Sequence, residues 1–146
     1  MTRELFLLLI LALAASCHSH ADDAAAIGNS VDGRWQATTA ELGGMPFPDE
    51  VRRSITLTVE GGRYTVMVGT QADKGTVAID ASKTPKALDI TGTEGPNQGK
   101  TILAIFERTG DSLKVCYDLT GKARPTEFKT EKGTQLFLVT YGRKQP

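Results

Sequence analysis

The stretch Ile55-Thr56-Leu57-Thr58-Val59-Glu60 alternates apolar and polar residues without a fault, and Gly61-Gly62 follows at once. A period of two puts every second side chain on one face of a pleated strand. Two adjacent glycines supply the positive φ angles of a tight hairpin, so Arg63–Val68 should return as the next strand. The same rhythm predicts strands at Gly33–Glu41, Gly75–Ile79, Ala87–Thr91, Thr101–Arg108, Ser112–Leu119 and Gln135–Tyr141. Turns rich in Gly, Pro and Asp separate them. Glu127-Phe128-Lys129 is a candidate short extra strand. One helical signal interrupts the series. Pro48, the acids Asp49 and Glu50, then Arg52 and Arg53 suit a helix of one or two turns and its dipole.

Eight strands joined by hairpins, with no helical crossover, must run antiparallel. A sheet that wide curls into a barrel or splits into a sandwich to hide its edges. The expected fold is therefore all-β: an antiparallel eight-stranded meander closed into a barrel, with one short helix after the first strand. Alternation assigns Ile55, Leu57, Val59, Tyr64, Val66, Val68, Val77, Ile79, Leu88, Ile90, Leu113, Val115 and Tyr117 to its interior. Ile102–Phe106 and Leu136–Val139 are apolar on both faces, so something must cover their outsides. The helix, the segment before the domain, or a second copy in a homodimer are the candidates.

Residues 1–21 read as an export leader. Arg3 is followed by the apolar run Leu5–Ala15, eleven residues long, too short to span a bilayer as a helix and suited to a signal peptide. Ser19-His20-Ala21 offers cleavage before Asp22. Ala14-Ala15-Ser16-Cys17 offers the alternative of a lipoprotein leader ending before Cys17, which would then carry the lipid. Residues 22–31 read as a flexible tether and 32–146 as a single domain. The destination is the periplasm, the exterior or a membrane face, the last reached only through Cys17. Beyond the leader Cys116 stands alone, so no internal disulfide is expected, and its mid-strand position suits an inert packed thiol.

Chemistry is constrained by absence. No histidine follows His20, which removes Ser–His and Cys–His pairs, imidazole bases and His-ligated metals from the domain. Cys17, His18, His20, Asp22 and Asp23 have metal-ligand character but fall in the leader and tether. Gly95-Pro96-Asn97-Gln98-Gly99-Lys100-Thr101 imitates a phosphate loop, yet that motif needs glycine where Glu94 stands, and a helix rather than a strand after it. Asp89, Glu94, Asp118 and Glu127 could in principle furnish a carboxylate pair, but nothing couples them in sequence. Lys plus Arg and Asp plus Glu number 17 each, and a neutral domain has no electrostatic claim on nucleic acid. No enzyme, cofactor or metal is expected. Arg124, Lys100 and Asp118 are candidate ligand contacts at the barrel rim.

Gly33-Arg34-Trp35 resembles the G-x-W opening of lipocalins and the wider calycins. There a tryptophan closes one barrel end beneath an arginine from the last strand, the place Arg143 occupies here. More specific are Glu41-Leu42-Gly43-Gly44 with Pro46 and Pro48; Asp80-x-Ser82-Lys83-x-Pro85-Lys86-x-Leu88-Asp89-Ile90; and Gly95-Pro96-x-x-Gly99-Lys100-Thr101. The later segments Gly110-Asp111-x-Leu113-x-Val115-Cys116-Tyr117 and Arg124-Pro125-x-x-Phe128 extend the match. Together these resemble an uncharacterised secreted or lipoprotein domain family expanded in planctomycete bacteria, over about residues 31–141. Ala104 and Phe106 depart from its usual Gly and Tyr. The resemblance implies a lipocalin-like fold and export, and supplies no catalytic residues. The expected role is binding of a small apolar or amphipathic ligand in a cavity of at least ~300 Å³. The alternative is an interaction or structural envelope module whose barrel is filled by its own side chains.

Overall fold

The computed structural model describes residues 30–145. The leader, Cys17 and residues 22–29 of the tether lie outside the described residues. In chain order the elements are β1 (Gly33–Leu42), β2 (Met45–Pro46), α1 (Asp49–Arg53), β3 (Ile55–Glu60), β4 (Arg63–Val68), β5 (Gln71–Asp80), β6 (Lys86–Glu94), β7 (Thr101–Thr109), β8 (Ser112–Asp118) and β9 (Leu136–Arg143). All strand pairs are antiparallel. The order runs β1-β3-β4-β5-β6-β7-β8-β9 and returns to β1, with β2 a short hairpin on β1. The closing ladder runs from Trp35 opposite Arg143 to Leu42 opposite Phe137. Eight strands thus form a closed barrel, which leaves no long edge unpaired.

β1 pairs with β3 only over Gly33–Gln36. Beyond that point α1 bridges the diverging strands. The Gln36 side-chain amide donates to the carbonyls of Arg53 and Ile55, and Arg52 Nη1 donates to the Ala37 carbonyl. None of the helix residues is buried. Hydrogen bonding at its end, not an apolar face, attaches this helix to the barrel.

The interior is the one that period-two burial dictates. Trp35, Ile55, Leu57, Val59, Tyr64, Leu88, Ile90, Ile102, Phe106, Leu113, Val115, Tyr117, Val139 and Tyr141 are buried in one cluster. Four of the expected core residues are not: Val66 and Val77 are partly buried against the cluster, and two more are exposed. Val68 and Ile79 are 43% and 39% exposed. They are last and next to last in their strands, and in a tilted barrel a strand end projects past the common interior although its side chain keeps the inward phase. Val31 corrects the expected tether: it is 3% exposed and packs in the core, so the domain starts before Asp32.

Two strand bounds move by three residues or more. β5 begins at Gln71, four residues before the expected Gly75, because its inward positions there are Gln71, Asp73 and Gly75. Polar inward residues erase the hydrophobic alternation that marks a strand. β6 continues through Gly92 to Glu94. Glu127–Lys129 forms no strand.

Residues 120–134 cover the two-faced strands. The loop is closed at its neck by the Leu119 N–H, which donates to Gln135 O at 3.1 Å. It lies over the outer face of β6–β9, where Ala87, Ile105 and Cys116 are buried. Pro125 is buried within it. Arg124 Nη1 donates to the carbonyls of Ala104 (2.8 Å) and Leu88 (3.4 Å), and Nη2 lies 2.7 Å from Asp89. The Cys116 thiol donates to Lys129 O, and Lys114 Nζ stands 5.8 Å from the Phe128 ring centre. The helix does not provide this cover, and no second copy is needed for it.

Candidate functional site

One end of the barrel is shut by Trp35, which has no exposed surface. Its indole N–H donates to Val31 O at 3.0 Å. The Arg143 guanidinium lies 4.7 Å from the ring centre and Arg108 lies 5.3 Å from it. Each is tied in place: Arg143 to Asp111 at 3.5 Å, and Arg108 to the carbonyls of Ser30 and Gly110. Burial, then the neighbouring Arg143 charge, lowers the Arg108 pKa. The sequence pairing of Trp35 with Arg143 is a contact here, and Arg108 is a second cation that no opening motif signalled.

Between this plug and the opposite end lies a cavity of about 210 Å³, smaller than the roughly 300 Å³ expected for a small-molecule site. Leu57, Val59, Val66, Leu88, Ile90, Ile102, Leu113 and Val115 give it an apolar wall. Phe137, at the far end of the β1–β9 ladder from Trp35, also lines it. Phe47 stacks on Phe137 at 5.5 Å, and Phe137 on Tyr117 at 5.8 Å. This aromatic row forms one side of the mouth.

The other side is polar. Asp73 is 8% exposed and projects inward from β5. Its Oδ2 accepts from the Tyr64 hydroxyl at 3.0 Å and from the Asn97 side-chain amide at 2.8 Å, while Oδ1 accepts from the Asn97 backbone N–H at 3.1 Å. Asn97 reaches Asp73 because the segment after β6 folds back onto the barrel. A Cβ on Gly92 would lie 2.0 Å from Asn97 O, and one on Gly95 2.4 Å from Ala72 O. Gly92 and Gly95 therefore let a mouth flap approach the strands, and only the second belongs to the segment that imitates a phosphate loop. β7 follows it directly, leaving no helix N-terminus to hold phosphate.

All three tyrosines of the chain face this cavity. Burial, followed by the Asp73 carboxylate, holds the Tyr64 phenol well above its ordinary pKa. Burial lifts Tyr141 to about 12, against a hydrogen bond from Tyr117 that pulls it down. Burial, then the hydrogen-bonded Tyr141, also holds the Tyr117 phenol well above its ordinary pKa. These hydroxyls stay neutral donors and acceptors within an apolar wall.

The three expected rim contacts do not converge. Arg124 sits on the outer face, engaged with Asp89, where the sequence suggested a rim contact. Asp118 organises the start of the covering loop: Oδ1 accepts from the Thr120 N–H and hydroxyl, and Oδ2 from the Ala123 N–H. Lys100 is exposed. None of the three lines the cavity. Arg124 and Asp118 do border a second, more open depression between the loop and the barrel. Of the considered carboxylates, Asp89 pairs with Arg124 and Glu127 with Lys129. Cys17 lies outside the described residues. Among those residues no group of His, Cys, Asp and Glu is placed to hold a metal ion, and no helix is long and apolar enough to cross a membrane.

The sequence reading missed Asp73, Tyr64 and Asn97 as a unit. The available signal was an aspartate two residues before a strand glycine, at a position whose phase is inward. The chain matches no protein-family model and no curated protein.

Proposed function

We propose that the chain is an exported, non-enzymatic, lipocalin-like binding domain that holds one small amphipathic molecule inside its barrel. The observation that carries this reading is the 210 Å³ apolar cavity with a hydrogen-bonded polar mouth. Dry apolar cavities of about 150 Å³ accept benzene, so the ligand is of single-ring size rather than a long acyl chain. Buried tyrosines and Asn97 offer orienting groups of the kind that small-molecule sites use sparingly. The absence of histidine from the domain sequence supports a binding role over proton-transfer chemistry.

A filled structural module is less well supported. The apolar outer faces of β7 and β9, which would have been its docking patch, lie on the side covered by the chain's own loop. Export rests on the leader sequence, either with release before Asp22 or with lipid attachment at Cys17. Membership of the planctomycete secreted family rests on the residues quoted for that resemblance.

Native mass spectrometry of the protein taken from its host envelope tests the reading. The expected result is a co-purifying molecule of roughly ten non-hydrogen atoms, scaled from the benzene-sized case. That mass should be lost when Val115→Trp fills the cavity. A ligand-free protein that also fails to bind any single-ring compound would overturn the proposal.

A further inference from the structure

We infer that the ligand is a cation: a small amine bearing one ring or an equivalent apolar group, with its ammonium against Asp73. This rests on the ligand-binding reading above and specifies its chemistry. Asp73 is nine-tenths buried, yet its three hydrogen-bond donors, the Tyr64 hydroxyl and two N–H groups of Asn97, are all neutral. Among the described residues no ion pair reaches it; the pairs formed use Asp49, Asp89, Asp111, Glu127 and Glu131. An ionised carboxylate has about four acceptor positions, so one remains after those three bonds.

A buried charge without a counter-charge is costly, and a partner that brings the opposite charge removes much of that cost. The cavity wall supplies no such partner, since no lysine or arginine lines it. The same fact argues against fatty acids and other anions, which would meet Asp73 with nothing to offset the repulsion. The Tyr64 ring beside Asp73 adds an aromatic face, which attracts ammonium groups. Volume then limits the apolar part to about one ring. Charge, hydrogen bonding and size converge on one class of molecule.

The test compares three probes on the purified full-length protein at neutral pH by calorimetric titration: phenethylamine, its uncharged isostere propylbenzene, and 3-phenylpropionate. Phenethylamine should bind at least about tenfold more tightly than propylbenzene, as a charge-assisted contact allows, and 3-phenylpropionate should bind weakest. Asp73→Asn should abolish the preference for the amine while leaving propylbenzene unchanged. Should that variant not fold, the three-probe ranking on the unaltered protein decides alone. Equal or tighter binding of propylbenzene or 3-phenylpropionate overturns the cationic assignment and leaves the cavity reading standing. Failure of all three to bind overturns both.

Discussion

A Cβ placed on Gly33 would lie 2.7 Å from Arg143 Nη1, so the first residue of the first strand is small because the last strand's guanidinium occupies its side-chain space. Gly33 also has φ +138°, a region that residues with a Cβ adopt at a cost of about 1–3 kcal/mol. Gly33→Ala should therefore destabilise the barrel by about that amount. Urea melts followed by Trp35 fluorescence measure it. Adding Arg143→Ala should restore only the steric part, because the backbone penalty stays.

The tyrosines predict alkaline behaviour. Each has a folded pKa raised above the unfolded value near 10. Stability from their burial is fully present below that value and is lost as pH rises through the folded values. Absorbance at the phenolate band should show no tyrosine titrating near pH 10. Ionisation should instead coincide with loss of structure at higher pH. A tyrosine ionising normally at pH 10 in folded protein would contradict the enclosed cavity.

Asp118 predicts the acid side. Burial works to raise its pKa, but bonds from the Thr120 hydroxyl and the backbone N–H groups of Ala123, Thr120 and Lys122 outweigh it and hold the carboxyl below the usual range. Its contribution is present above the unfolded value near 4 and is lost as pH falls through the lower folded one. Asp118→Ala should cost about 1–3 kcal/mol at neutral pH, the range for stranding donors to a charged group. The gap between variant and parent, followed by thermal melts, should narrow toward pH 2.

The barrel was legible because one face of most strands is apolar and the other polar, and because Gly61-Gly62 and Thr109-Gly110-Asp111 break the chain where hairpins must turn. The closed end was legible in Gly33-x-Trp35 and a late arginine. The mouth was not. Gln71, Asp73 and Gly75 lie in strand yet carry no hydrophobic alternation, and their partner Asn97 comes from a glycine-rich segment that reads only as loop. The cover over β7 was hidden for a similar reason. Residues 120–134 have no periodicity, and their role appears only when Arg124 meets the carbonyls of Leu88 and Ala104.

That cover makes its own prediction. Cys116 has no exposed surface, and burial raises its thiol pKa against a smaller opposing effect of the Lys129 backbone. Its alkylation in native protein should be slow and should require the loop to open. Arg124→Ala removes the anchor to β6 and β7 and should speed alkylation of the Cys116 peptide by about tenfold or more, the effect of a local opening made easier by 1.4 kcal/mol. Peptide-mapping mass spectrometry reads that rate. Equal rates in parent and variant would show that Arg124 does not hold the loop down.

The central claim is that a small molecule sits inside the barrel between Trp35 and the Asp73 mouth. Intermolecular NOEs with added phenethylamine test it most directly. The account predicts ring contacts to the methyl groups of Val66, Leu113 and Val115, and contacts from the methylene beside the nitrogen to Tyr64. Contacts confined to exposed residues such as Met45 and Val51, with silent interior methyls, would contradict it.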